Sequence, residues 1–191
     1  AEKNRTARKA LSRLGFKSVR RFLELSLDLS KVSESEIERV APDCRYLQNG
    51  EENKLAQIQN SAFSGSWGYS PNTVEDIVYR INLRSRSPGD VVLVSEGDKA
   101  AGYCWYGVID AGEIAVGARK GRIFMLGANP EYRGRGVGRK ALMAGLYALK
   151  KKGLRDVELT VDSENTVACN LYYSVGFKVR LNTLWYEKAV A

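Results

Sequence analysis

Histidine is absent from all 191 residues. That excludes His-based triads, His-ligated metals and the usual imidazole proton shuttle, leaving acid–base work to tyrosine, carboxylates, thiols or water. Cysteine is scarce. Cys44, Cys104 and Cys169 are far apart, odd in number and without metal-ligand spacing, so reduced thiols, a cytoplasmic location and no metal are expected. No apolar run approaches the ~20 residues that span a bilayer, and the basic N-terminus lacks an apolar signal core, so no membrane association is expected. What is present is 44% apolar and 27% charged, a balance that suits one ordinary α/β-sized domain with a full core plus an appendage. The net charge of +8 sits unevenly. Residues 1–30 hold eight Lys/Arg against three Asp/Glu, while the remainder holds 22 against 19. A charge excess lying mainly in one terminal segment reads equally as a solvated face, and no nucleic-acid partner is expected.

From residue 45 onward, strand and helix patterns alternate. Arg45–Leu47 is a short strand, and Lys54–Phe63 puts Leu55, Ile58, Ala62 and Phe63 on one helical face. "SGSWGYSP" is a loop, and Thr73 with Asp76 forms a capping box for a helix to about Leu83. "DVVLVSEGDKAAGYCWYGVI" is a hairpin turning at Glu96-Gly97-Asp98, and "GEIAVGARKG" is a loop. "RIFMLGA" is a buried strand. Leu142, Leu146 and Leu149 then share a helical face until Gly153, "VELTV" is a strand, and "ENTVACNLYYSV" is a helix closed by Gly176. "FKVRLNTLWYEK" supplies two more strand pieces. The order predicts a mixed single-sheet α/β domain of six or seven strands and four helices.

Between the buried strand and its helix lies "NPEYRGRGVGRKAL", with glycines at 134, 136 and 138 and arginines at 133, 135 and 139. The first amides of a helix lack intrahelical partners and carry the positive dipole end. Glycines remove the Cβ atoms that would keep a bulky anion away, and arginines can add charge-assisted bonds to phosphate oxygens. The spacing is neither the Walker pattern nor G-x-G-x-x-G, because Gly138 is followed by Arg139 and Lys140.

The strand "FMLGANP", then Arg133-x-x-Gly136-x-Gly138, then a helix, resembles the acyl-CoA motif of the GNAT acetyltransferase superfamily. "NTVACNLYYSVGF" resembles that family's second motif, with Asn165, Ala168, Tyr172 and Gly176-Phe177 in the family's order. "NSAF", "TVED" and "VDSENTVACNLYYSVGF" are similar to the mycothiol-synthase-like branch. Two departures fall on the acceptor side. "SGSWGYSP" stands where that branch has a His-Pro-Glu-Gln-type loop, and Arg122 stands where it places a Glu.

The resemblance implies a GNAT fold over residues 44–191 and N-acetyl transfer from acetyl-CoA to a primary amine, either a small molecule or a protein N-terminus. The alternative is a CoA-binding sensor or scaffold module with little turnover. By resemblance, pantetheine pairs with Leu126, Gly127 and Ala128. Pyrophosphate sits on the segment Arg133, Gly134, Arg135, Gly136, Val137, Gly138 and Arg139, and Asn165 and Ala168 belong to the cofactor side. Tyr172 protonates the leaving thiolate, and the amide of Ala128 is the oxyanion donor. No general base is assigned. Glu158, Asp162 and Glu164 are candidates that read as well as solvated carboxylates. Trp67, Tyr69, Trp105 and Trp185 are candidates for the acceptor cleft and equally for the core.

The N-terminus repeats the second motif. Asn4, Ala7, Gly15, Phe16 and Lys17 match Asn165, Ala168, Gly176, Phe177 and Lys178 at a constant offset of 161, with Leu11 at the place of Tyr172. Residues 1–30 are therefore expected to be the tail of a degenerate first repeat, with "VRRFLELSLDL" as its final strands and residues 31–43 as a linker. An uncovered strand there should seek a sheet edge, and a homodimer through this segment is an expectation.

Overall fold

The computed structural model describes residues 4–33, 35, 44–83, 88–97, 99–110 and 119–189. These divide into two compact units, Leu29–Val157 and Ala1–Asp28 with Glu158–Ala191. Most of the expected linker and of the "GEIAVGARKG" loop lies outside the described residues, as does Asp98 of the hairpin turn.

In the larger unit the strands are β2 (Cys44–Tyr46), β3 (Val91–Glu96), β4 (Lys99–Asp110) and β5 (Arg119–Ala128). They pair antiparallel in the order β2-β3-β4-β5. The side-chain alternation of β4 sorts its two faces. Tyr103 and Trp105 pack with Leu55, Ile58, Ile77, Ile81 and Leu93 beneath α2 (Glu52–Phe63) and α3 (Val74–Ile81). Cys104 faces α4 (Val137–Lys151), where a Cβ on Gly145 would lie 2.4 Å from its Sγ. The expected Thr73–Asp76 capping box is present, with Asp76 N–H donating to Thr73 Oγ1 at 3.1 Å and Thr73 N–H donating to Asp76 Oδ2 at 2.9 Å. Lys152 Nζ, one residue past α4, lies 2.6 Å from Asp90 Oδ1 and ties the helix end to the start of β3. Strand β5 opens three residues earlier than expected. Arg119, Lys120 and Gly121 extend it, opposite Asp110, Ile109 and Val108 of β4.

The smaller unit contains α1 (Arg5–Arg13), β1 (Lys17–Asp28), β6 (Asp156–Asp162), α5 (Thr166–Val175) and β7 (Lys178–Glu187), with strand order β6-β1-β7. Two expectations are corrected. "FKVRLNTLWYEK" forms one strand, since nothing in it supplies the positive-φ glycine of a tight hairpin and a bulge absorbs Arg180 instead. Residues 17–28 likewise form one strand, which is interior to this unit's sheet. Leu23, Leu25 and Leu27 are buried along one face of β1, together with Leu159, Val161, Cys169, Tyr172 and Phe177 of the same unit.

Candidate acetyl-CoA site

The glycine turn is shaped by its neighbours in the larger unit. Strand β5 pairs with β4 through Leu126–Cys104, Gly127–Tyr103 and Ala128–Gly102, and Asn129 N–H donates to Ala101 C=O at 2.9 Å. Gly127 is required by packing, because a Cβ there would sit 2.7 Å from Tyr103 and 2.9 Å from Ala62. Beyond the strand, Asn129 Oδ1 accepts from Glu131 N–H and starts a short 3₁₀ turn over Pro130–Tyr132. Gly134 and Gly136 then take φ of +78° and +77°, the left-handed region that glycine enters without strain. Gly136 is the N-cap of α4, and no side chain bonds the free amides of that helix start. Space around both glycines is open, with nothing within 4 Å of a Cβ built on either. The result is a helix N-terminus without a side-chain cap, a geometry of the kind that accepts an anion.

The arginines divide the work differently from the simplest expectation. Arg133 Nη2 donates to Ala62 C=O at 2.7 Å, fastening the turn to the last turn of α2. Arg135 lies over the Tyr132 ring at 5.5 Å and 3.8 Å from Glu96 Oε2. Arg133 and Arg135 are thus both engaged with protein groups, so the backbone amides of the turn are its candidate anion-binding feature.

In the smaller unit, Asn165 caps α5, its Oδ1 accepting from Ala168 N–H at 3.1 Å, and Gly176 closes the helix at φ +107°. Asn165 and Ala168 are therefore partners in one helix cap. The Tyr172 ring is buried at 6% exposure, edge-on to Phe177 at 5.7 Å, whereas Tyr173 is 43% exposed. The inward-facing tyrosine of α5 is therefore Tyr172.

The carboxylates proposed as bases are ion-paired. Arg20 holds Asp162 at 3.4 Å and also Glu164, and Arg180 lies 3.8 Å from Glu158. The four aromatic candidates are not one cluster. Trp105 is core, Trp185 is 53% exposed and tilted against Phe22, and Tyr69 stacks on Phe63 at 5.4 Å. Trp67 belongs to the Ser64–Thr73 loop and is exposed. The Tyr69 hydroxyl is held above its ordinary pKa by burial and so stays a neutral donor.

Nothing in the sequence signals what organises that loop. Asn60 Oδ1 accepts from Tyr69 Oη at 2.7 Å and from Asn72 N–H at 2.8 Å, while its Nδ2 donates to Asn72 C=O at 2.9 Å. Asn72 Nδ2 also reaches buried Gln59 at 3.0 Å. Partners twelve residues apart show no periodic signal. Among the described residues no group of three or more His, Cys, Asp or Glu could hold a metal, and no helix is long and apolar enough to cross a membrane.

Comparison with known proteins agrees with this geometry. The chain is 29% identical over 190 residues to a mycothiol acetyltransferase of Nocardia farcinica, covering 93% of this chain and 59% of that protein. It is 37% identical over 113 residues to the mycothiol acetyltransferase of Thermobispora bispora, covering 59% of this chain and 36% of that one. The chain thus spans about half the length of the curated relatives it matches. A GCN5-related N-acetyltransferase from Sphaerobacter thermophilus superposes with a TM-score of 0.72 at 24% identity, over 95% of this chain and 55% of its own, and so shares the fold. The model of the Acetyltransferase (GNAT) family matches residues 53–177, from α2 through the end of the second motif, and the chain belongs to that family.

Proposed function

We propose that this chain is an N-acetyltransferase that moves acetyl from acetyl-CoA to a primary amine by direct attack on the thioester. The observation that carries the reading is the uncapped start of α4 behind two left-handed glycines with open space over both. The residues fit the group: amides from Arg135 to Arg139 would hold the pyrophosphate, and the end of β5 would pair with pantetheine. Bound acetyl-CoA supplies an activated acyl carbon. Arg133 keeps the turn in place through Ala62 rather than contacting the phosphate.

Tyr172 is assigned the proton that the departing thiolate takes up. A phenol of pKa about 10 can donate to a thiolate whose parent has pKa about 8.5 once both are held in place. The Ser64–Thr73 loop, locked by Asn60, is assigned to the acceptor side, where the chain departs from its relatives' loop pattern. Relatives described as mycothiol acetyltransferases support a small thiol-bearing amine as one acceptor class.

The test is CoA release from acetyl-CoA across a panel of primary amines, read with a thiol reagent. Turnover with at least one amine, above hydrolysis without amine, is expected. Tight CoA binding with no turnover across sugar amines, amino-acid amines and N-terminal peptides would overturn the enzyme reading and favour a CoA-binding module.

A further inference from the structure

The last four carbonyls of a helix have no intrahelical partner. At the C-termini of α1, α3, α4 and α5 the residue after the helix turns its own N–H back onto the last turn, as Asn82 N–H does onto Val78 C=O at 3.1 Å. Helix α2 ends differently. Ser64 leaves it at φ −52°, ψ 123°, and among the described residues its N–H makes no such bond. The carbonyl of Ala62 is taken instead by the Arg133 guanidinium, which reaches it at 2.7 Å from 71 positions away. Arg133 is itself exposed on the glycine turn. A cation carried by that turn thus caps the C-terminus of α2, at the negative end of the helix dipole.

The capped turn is where strand, helix and loop meet. Toward the sheet, Ala62 Cβ and Phe63 Cε2 would lie 2.9 and 3.3 Å from a Cβ on Gly127, so the helix end rests directly on the end of β5. Toward the loop, the Phe63 ring stacks on Tyr69 at 5.4 Å, and Phe63 C=O accepts from Ser66 N–H at 2.9 Å. Just before them, Asn60 holds both Tyr69 and Asn72, and Gln59 Oε1 accepts from Asn72 Nδ2 at 3.0 Å. Residues 59–63 therefore hold the 64–73 loop at both its ends while standing on β5. The spacing between the end of β5 and that loop is set by one helical turn, and the cap on that turn is Arg133.

We propose that Arg133 is a positioning residue for the amine acceptor, acting through the last turn of α2 on the Ser64–Thr73 loop, rather than a ligand of the cofactor's phosphates. The inference rests on the acetyltransferase reading given above, in which pantetheine lies along the end of β5 and the loop faces the acceptor. A guanidinium bond to a part-buried carbonyl is charge-assisted, and its loss leaves the carbonyl unsatisfied. That shifts a local opening equilibrium by about tenfold or more. Opening releases Phe63, and with it the stacked Tyr69 and the Asn60 hub. The backbone of Gly134 and Gly136, beside the candidate anion-binding amides, keeps φ angles that glycine adopts without help. The loss therefore falls on the acceptor and spares CoA. Arginine suits the role because its planar fork reaches a carbonyl from an exposed turn and stays charged at every working pH.

The test compares Arg133→Met, which removes the donors and the charge, with Arg133→Lys, which returns both. The Ser66, Tyr69 and Asn72 amides and the Asn82 amide at the end of α3 are all bonded in the parent. In Arg133→Met the first three should exchange about tenfold faster or more, while Asn82 keeps its rate. CoA affinity by calorimetry should stay within about threefold of the parent. With the amine that turns over fastest in the CoA-release panel, the amine KM should rise about tenfold or more with kcat within about threefold. Arg133→Lys should recover most of both changes. Unchanged exchange at the three loop amides would overturn the proposal. So would a loss of CoA affinity of about thirtyfold or more, which would make Arg133 a phosphate ligand. A fall in kcat with the amine KM unmoved would overturn the acceptor role. Exchange and calorimetry need no turnover, so failure of the cap is told apart from failure of the acetyltransferase reading.

Discussion

Replacing Gly136 by Asp separates folding from cofactor binding. Gly136 is the N-cap of α4 at φ +77°, ψ 2°, and a Cβ there meets nothing within 4 Å. The steric cost is therefore the left-handed backbone alone, about 1 kcal/mol for a residue type that visits this region. A carboxylate at a helix N-terminus returns roughly 0.3–1 kcal/mol through the dipole. The two nearly cancel, so the melting temperature should move by only a few degrees. Binding is different, because on the proposed site the carboxylate would stand where a pyrophosphate oxygen belongs. Two unit negative charges about 4 Å apart repel by about 4 kcal/mol at an effective dielectric of 20, which is a loss of about 10³ in affinity. Calorimetry with CoA on the purified variant measures it, with circular dichroism as the folding control. A folded Gly136→Asp protein that binds CoA within twofold of the parent would refute placing the anion on this turn.

Tyr172→Phe keeps the buried ring and its contact with Phe177, so CoA affinity should hold while turnover falls by about 10²–10⁴; steady-state kinetics beside Tyr173→Phe, which should be neutral, checks the register. Gly102→Ala forces a Cβ to within 2.4 Å of Val137 Cγ1 at the first turn of α4. It should weaken CoA binding and lower stability by about 1–3 kcal/mol, and Val137→Ala in the same chain should restore much of both. Glu51 is held down at about 2 by its bonds to Arg45 and Lys54. A depressed carboxylate contributes stability above its unfolded pKa near 4.5 and loses it as pH falls toward 2, here about 1 kcal/mol after solvent screening. Urea melts between pH 5.5 and 2.5 should show that decline, and Glu51→Gln should flatten it.

What was legible in the sequence was local. The Thr73–Asp76 box, the Gly176 stop and the glycine turn before α4 each depend on residues within a few positions, and each stands in the structure as expected. The Asn165 cap, by contrast, emerged only in the structure. At the offset of 161, Asn4 caps α1 through Ala7 N–H as Asn165 caps α5 through Ala168 N–H. What the sequence did not disclose was long-range. Nothing in residues 17–28 says that this strand lies between β6 and β7. Nothing near Arg133 says that its guanidinium is spent on Ala62, 71 positions away. The Asn60 hub is likewise a product of tertiary packing, since polar side chains carry no periodic signature until the loop they hold is folded.

The central claim, that backbone amides at the start of α4 hold the pyrophosphate of acetyl-CoA, is most directly tested by titrating ¹⁵N-labelled protein with CoA and, separately, with pantetheine, which lacks the pyrophosphate. The account predicts large amide shifts at Arg135, Gly136, Val137, Gly138 and Arg139 with CoA and small ones there with pantetheine. CoA binding that leaves those five amides unmoved, or pantetheine shifting them as strongly as CoA does, would contradict it.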